Sequence, residues 1–303
     1  MTAALATDAA AVDDLVRASA GHMRRRLLLD RVARYGLLLP FVVVFFPLID
    51  LLYWISETAL PTFTWATLTQ DQIGNGGGLH AMIIGTAVLI ALATTIATLI
   101  GIAAGLYTAE YAPPAIARLG RTAGNVLAGV PAIVLGFWGY FLLVIYTGWG
   151  YTVLGGALTL SILMVPFIYR TSDLAFSAVP ASQREAALAM GARRYQFLGR
   201  IALPIAIPGI LTGVILAMAI GLGETAPLIY TAGWANVPLT GLFSPTSYLT
   251  GAIWLFYSQP PDIGLYALAF QAAFVLIVMV VAINVTLQAV AEHYRRRLRG
   301  LFS

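Results

Sequence analysis

Six apolar runs, each long enough to cross a bilayer, limit what this chain of 303 residues can fold into. They are roughly Tyr35–Ile55, His80–Tyr107, Gly124–Tyr146, Thr152–Tyr169, Ile205–Tyr230 and Ile263–Val290. A helical crossing needs about 20 mostly apolar residues. The pattern therefore predicts an all-α membrane protein with six transmembrane helices. The fourth run is short and the sixth long, which predicts tilt or extension into the interface. Pro40 and Pro47 are expected to bend the first.

The basic residues check the count independently. The chain has no lysine, and its 17 basic residues are all arginine. Arg17, Arg24, Arg25, Arg26, Arg31 and Arg34 precede the first run, and Arg118 and Arg121 lie between the second and third. Arg170, Arg184, Arg193, Arg194 and Arg200 lie between the fourth and fifth, and Arg295, Arg296, Arg297 and Arg299 follow the sixth. The alternate loops 56–79, 147–151 and 231–262 contain none. An odd number of crossings would break this alternation. By the positive-inside rule, both termini and the loop between the fourth and fifth runs are expected in the cytoplasm.

Composition narrows the function classes. The chain is 60% hydrophobic and only 10% charged, with mean hydropathy +0.86, where a soluble domain has about 25% charged residues. The formal charge of +4 comes from arginines at run ends, so it carries no implication of nucleic acid. With no cysteine, disulfides, thiolate metal sites and cysteine nucleophiles are excluded. His22, His80 and His293 are too scattered to form a metal cluster. Without lysine there is no G-x-x-x-x-G-K-[ST] phosphate loop, so any ATPase must be a separate polypeptide.

The expected organisation is a cytoplasmic tail over 1–34, a first helix and outer loop over 35–79, a five-helix core over 80–290 containing the loop 171–204, and a cytoplasmic tail over 291–303. Residues 1–22 are Ala-rich and expected to be loosely ordered. The cluster Arg24-Arg25-Arg26 precedes a run too long for a signal-peptide core. The glycine run Gly74–Gly78 reads as a flexible joint. Gly101 with Gly105, and Gly209 with Gly213, are G-x-x-x-G pairs. Such pairs permit close helix approach, although glycine is also simply common in membrane helices. Tyr248–Tyr257 is too short to span and reads as an interfacial or re-entrant helix, with Tyr248, Trp254 and Tyr257 suited to the headgroup level. A docking surface for an external protein is the alternative.

The loop from Arg184 to Pro204 reads R-E-A-A-L-A-M-G-A-R-R-Y-Q-F-L-G-R-I-A-L-P. Ser182 with Glu185 fits a capping box, the residues from Ala186 to Met190 are good helix formers, and Gly191 supplies a left-handed stop. Pro204 is placed in the first turn of the next helix, where proline is tolerated. Glu185-Ala186-Ala187, then Gly191, then Ile201-Ala202-Leu203-Pro204, resembles the "EAA loop" of importer-type ABC permeases. The resemblance extends over about His80 to Val290. It implies the ABC permease fold, with Glu185, Ala186, Ala187, Gly191, Ile201, Leu203 and Pro204 forming a loop that couples to an ATPase subunit dimer. An ordinary amphipathic surface loop, with Glu185 only a cap, is the bland alternative.

Three more stretches are similar to the permease subunits of the bacterial phosphate importer. They are Tyr107-Thr108-Ala109-Glu110-Tyr111-Ala112, Ala128-Gly129-Val130-Pro131-Ala132-Ile133-Val134 and Gly223-Glu224-Thr225-Ala226-Pro227-Leu228, together with Arg170-Thr171-Ser172. The string Gly223-Glu224-Thr225-Ala226-Pro227 resembles the PstA-type subunit rather than its PstC-type partner. The resemblance implies a permease with no enzymatic activity and no cofactor of its own, ATP and Mg²⁺ being held by the ATPase. It also implies as partners a PstC-type permease, an extracytoplasmic phosphate-binding protein, phosphate and membrane lipid. Glu224, Thr225, Pro227 and Arg170 are the candidate pathway or gate residues.

Glu224 lies about 28 Å along the fifth run from Ile205, toward the outer face. A mid-membrane carboxylate costs roughly 2.5–3.5 kcal/mol and usually faces a cavity or partner. Glu224 reads either as a gate or pairing residue or as a hydrated interfacial acid, and Pro227 is expected to break the helix. Many relatives carry an arginine four residues before that glutamate; here the residue is Ile220. Arg170 matches the family pattern at a helix end, where a snorkelling anchor is the alternative to substrate contact. The rivals are a sulfate or molybdate permease, an ion-coupled secondary transporter with only Glu224, Gln271 and Asn284 to work with, and a membrane-embedded enzyme, for which no residue cluster is found.

Overall fold

The computed structural model describes residues 26, 29–235, 238–260 and 264–302; the tail expected over 1–22 lies outside them. The chain divides into two units, Met1–Glu57 and Thr58–Ser303. Helix α1 (Leu38–Ala59) is part of one continuous apolar helix, Leu29–Thr62, which runs on through Pro40 and Pro47.

In the second unit, α2 (Trp65–Thr69) and a hairpin of β1 (Gln72–Ile73) and β2 (Gly76–Gly77) lead into α3 (His80–Glu110). Then come α4 (Pro114–Ala128), α5 (Ala132–Gly139) with a π-helical turn Tyr140–Tyr146, and α6 (Val153–Ser177). After α7 (Ala181–Ala189), one continuous helix is built from α8 (Arg194–Phe197), a π-helical turn Leu198–Ala202 and α9 (Leu203–Gly223). Helices α10 (Ala226–Thr231), α11 (Leu249–Tyr257) and α12 (Leu265–Phe302) complete the unit.

Helix α6 is the centre of the unit. Some 67% of its apolar stretch is buried, against 28–33% for the other long helices of this unit. Lipid tails are as apolar as leucine, so helices associate in a membrane by close packing rather than by hydrophobic exclusion. Both G-x-x-x-G pairs supply that closeness, and both press on α6. A Cβ at Gly101 would lie 2.8 Å from Ile168, and one at Gly105 would lie 2.6 Å from Ser172 Cβ. From the other side, a Cβ at Gly209 would lie 2.8 Å from Ala175, and one at Gly213 would collide with Thr171. Thus α3 and α9 clasp α6 through matched stripes of small residues. The core between them contains Leu89, Ala93, Ala97, Leu160, Met164, Ile168 and Ala217.

Several expectations are corrected. The third run is not one helix: α4 and α5 meet at 95° around Gly129-Val130-Pro131. A residue before proline is pushed out of the helical region, and Pro131 becomes the cap from which α5 starts. Residues 124–128 therefore belong to the amphipathic α4. Among the described residues, five helices are long and apolar enough to cross, and the α4–α5 pair is the sixth candidate.

The glycine run forms the turn and second strand of the hairpin. Gly74 takes φ +59° at the turn of the hairpin, the position where glycine is required in a two-residue turn. A Cβ at Gly77 would lie 2.5 Å from the Asp71 carbonyl. Asp71 Oδ1 also accepts the Ala81 N–H at 3.0 Å, closing the first turn of α3. The interfacial helix forms as α11, and its Trp254 and Tyr257 are exposed. Tyr248, however, is buried, packed beside Trp234 with ring centroids 6.0 Å apart. The connection between α10 and α11 closes the start of α6, where the Ser244 and Leu242 carbonyls accept the N–H groups of Val153 and Leu154.

Candidate functional site

Helix α7 starts directly behind Pro180, with no side-chain cap, so the expected Ser182–Glu185 capping box is absent. Ser182 lies within the first turn and Glu185 is exposed. Proline fixes the entry φ, and the Gln183 N–H closes onto the Pro180 carbonyl at 3.1 Å. The stop at Gly191 is as expected. It takes φ +81°, its N–H reaches the Leu188 carbonyl at 2.9 Å, and the Ala192 N–H reaches the Ala187 carbonyl at 3.0 Å. These paired bonds are a Schellman ending. The chain then restarts at Arg194, where Gln196 Oε1 accepts the Arg193 N–H at 2.8 Å.

Pro204 falls in the first turn of α9, as expected, but α9 continues the helix that starts at Arg194 rather than opening a separate one. A proline there would clash with the carbonyl four residues back. The π-helical turn Leu198–Ala202 precedes it, as such turns commonly do where a helix must accommodate an interruption.

The seven loop residues divide into three groups. Glu185, Ala186 and Gly191 face outward, beside exposed Leu188, Met190 and Tyr195. Ala187 and Ile201 instead pack inward against Phe176, Phe197, Ala202 and Ala206. Leu203 and Pro204 continue up the membrane helix and are partly exposed. The result is a small-residue helix with an exposed apolar tip, seated on its own core.

Two arginines fasten this hairpin to the end of α3. Arg184 Nη2 donates to Glu110 Oε1 at 2.5 Å, and the Glu110 side chain is only 1% exposed. Arg194 Nη2 donates to the Glu110 main-chain carbonyl and its guanidinium lies 4.3 Å over the Tyr111 ring. Arg184 also lies 5.7 Å over the Phe197 ring. Nothing local in the sequence marks Glu110 for this role. The available signal was an acid ending a long apolar run that is followed by no arginine until Arg118.

Arg170, two turns before the end of α6, donates from Nη1 to Asn125 Oδ1 of α4 at 2.5 Å. Arg121 of α4 forms a two-bond pair with Asp173 at 2.7 and 3.0 Å. These residues and Tyr169 line a cavity of about 380 Å³.

Glu224 is set apart from this end. It takes ψ 133° as the residue that ends α9, and Thr250 of α11 donates to its carbonyl at 2.9 Å. The break thus falls three residues before Pro227, which enters the first turn of α10, where proline is tolerated. Thr225 caps α10 through its carbonyl, and Pro227 is buried against Gly136 of α5. Among the described residues, no basic side chain lies within ion-pair reach of Glu224.

A bundle of apolar helices clasped on α6, with an exposed small-residue hairpin at one end, defines the permease component of a transporter. The chain belongs to the binding-protein-dependent transport system inner membrane component family, whose model matches residues 97–300. Among its relatives, "Phosphate transport system permease protein PstA 2" of Mycobacterium tuberculosis is 42% identical over 256 residues, 84% of this chain and 85% of that protein. "Phosphate transport system permease protein PstA" of Xylella fastidiosa is 36% identical over 214 residues, 70% of this chain and 74% of that protein. The similarity places the chain among PstA-type permeases.

Solved structures agree on the fold. A bacterial ABC transporter importing alginate matches with TM-score 0.58 at 16% identity, over 88% of this chain and 98% of that one. The inward-facing MetNI methionine ABC transporter matches with TM-score 0.56 at 18% identity, over 70% and 93%.

Proposed function

We propose that this chain is the PstA-type permease subunit of an ATP-driven importer of inorganic phosphate, forming half of the translocation pathway. The observation that carries the reading is the pairing of a PstA-type sequence with an outward-facing hairpin of small residues, Glu185 to Gly191. Small side chains let a helix backbone sit deep in a partner's groove. In this reading, α7 docks on one subunit of an ATPase dimer, which binds ATP and Mg²⁺, while the chain itself catalyses nothing. A PstC-type permease supplies the other half of the pathway and an external binding protein delivers phosphate. Both termini and the hairpin face the cytoplasm, an orientation supported by the arginine alternation.

Phosphate will not cross a low-dielectric path unpaired. Glu224, Thr225 and Pro227 form the outer gate at the helix break, and Arg170 stands beside the cavity at the other end. The test is reconstitution of the complex with its binding protein in liposomes. Labelled phosphate uptake driven by ATP is expected to resist an excess of sulfate or molybdate. Uptake of either of those anions in place of phosphate overturns the substrate assignment.

A further inference from the structure

We infer that Glu110 is the positioning residue through which the coupling hairpin moves the membrane helices. The inference rests on the reading that α7 docks on an ATPase, and it names the part of this chain that receives the push.

The hairpin has two arms, α7 and the start of the helix at Arg194, and Gly191 joins them by a single turn. One arginine from each arm converges on one residue: Arg184 on the Glu110 carboxylate, Arg194 on the Glu110 carbonyl. The carboxylate is buried, so the pair is little weakened by solvent. Stacking on Phe197 and Tyr111 holds each guanidinium in place. Glu110 is the last residue of a 31-residue helix, so a displacement of the hairpin is applied at the end of a rigid rod. That rod is interlocked with α6, because the Cβ atoms of Ile168 and Ser172 sit in the grooves left by Gly101 and Gly105. The hairpin, α3 and α6 therefore move as one body. Ala187 packing alone would let the hairpin rotate on its apolar seat, whereas two charged bonds to one residue fix both its distance and its angle.

Removing the charge on Glu110 should separate ATP hydrolysis from transport. In the reconstituted complex, Glu110→Gln is expected to retain the ATPase at normal stoichiometry and to hydrolyse ATP. Phosphate carried per ATP should fall about tenfold, a typical size for a coupling between two sites. Arg184→Gln should do the same, and the exchanged pair Glu110→Arg with Arg184→Glu should recover part of the ratio. An unchanged ratio in Glu110→Gln overturns the inference, as does loss of ATPase binding, which would make the clamp an assembly contact. A second measurement needs no ATPase: spin labels at Ala115 and Met190 of the permease should give a narrow distance distribution in the parent and a broad one in Glu110→Gln. Equal widths also overturn the inference. Failure of the parent permease to bind an ATPase overturns the docking reading alone, because the spin-label result still decides the clamp.

Discussion

A carboxylate at a helix break near a membrane is costly unless it meets water or a positive partner. Glu224 has no such partner among the described residues, and every arginine of the chain lies outside the three loops expected on the outer side. The neighbouring permease is therefore the expected source of an arginine. Glu224→Gln should leave assembly intact and lower phosphate uptake. Crosslinking from Glu224→Cys should capture the partner permease beside a basic residue; absence of any such neighbour in every transport state would make Glu224 an interfacial acid. At Gly191 the argument is about backbone. Its φ of +81° costs a side chain roughly 1–2 kcal/mol. Gly191→Val should deform the tip of the hairpin, so uptake and binding-protein-stimulated ATP hydrolysis should fall together, unlike the separation expected for Glu110→Gln. Gly191 was legible beforehand because a left-handed stop is a local requirement. Glu110 was not, because its arginines are 74 and 84 residues away along the chain.

Among the helices, small residues decide where two elements touch. The stripes Gly101–Gly105 and Gly209–Gly213 were visible as spacings, but their common partner was not. Adding a large side chain to a close-packed contact typically costs about 1–3 kcal/mol. Gly105→Leu should lower the midpoint of unfolding in SDS-containing mixed micelles, while Gly241→Ala, with open space around it, should leave that midpoint unchanged. Equal effects of the two would remove the clasp on α6 from the account. The bend between α4 and α5 was marked by Pro131, yet continuous hydrophobicity across Gly124–Tyr146 read as one span. Hydropathy records which residues avoid water and says nothing of direction, so a helix lying across another's end reads the same as one in line with it.

For the molecule as a whole, orientation is the decisive expectation. The chain has no cysteine, so single cysteines report without background. Asn75→Cys and Gly241→Cys should react with an impermeant thiol reagent in intact cells, and Met190→Cys should react only after the membrane is opened. The opposite pattern would reverse the topology and with it the docking of α7.

The all-helical class, five of the six expected crossings, the family and the place of the hairpin that stops at Gly191 could all be read from residue order. Each rests on a property carried by the chain locally: apolar length, arginine alternation, or the spacing of glycine and proline within one loop. Assembly of the bundle was needed for the rest. It selected α6 as the central helix, turned Ala187 and Ile201 inward, made Glu110 the anchor of both arms of the hairpin, and put the break at Glu224 instead of Pro227. Those outcomes depend on which distant surfaces fit together and on which buried charge finds its counter-charge. Close packing and ion pairing act across space, between residues that are remote along the chain.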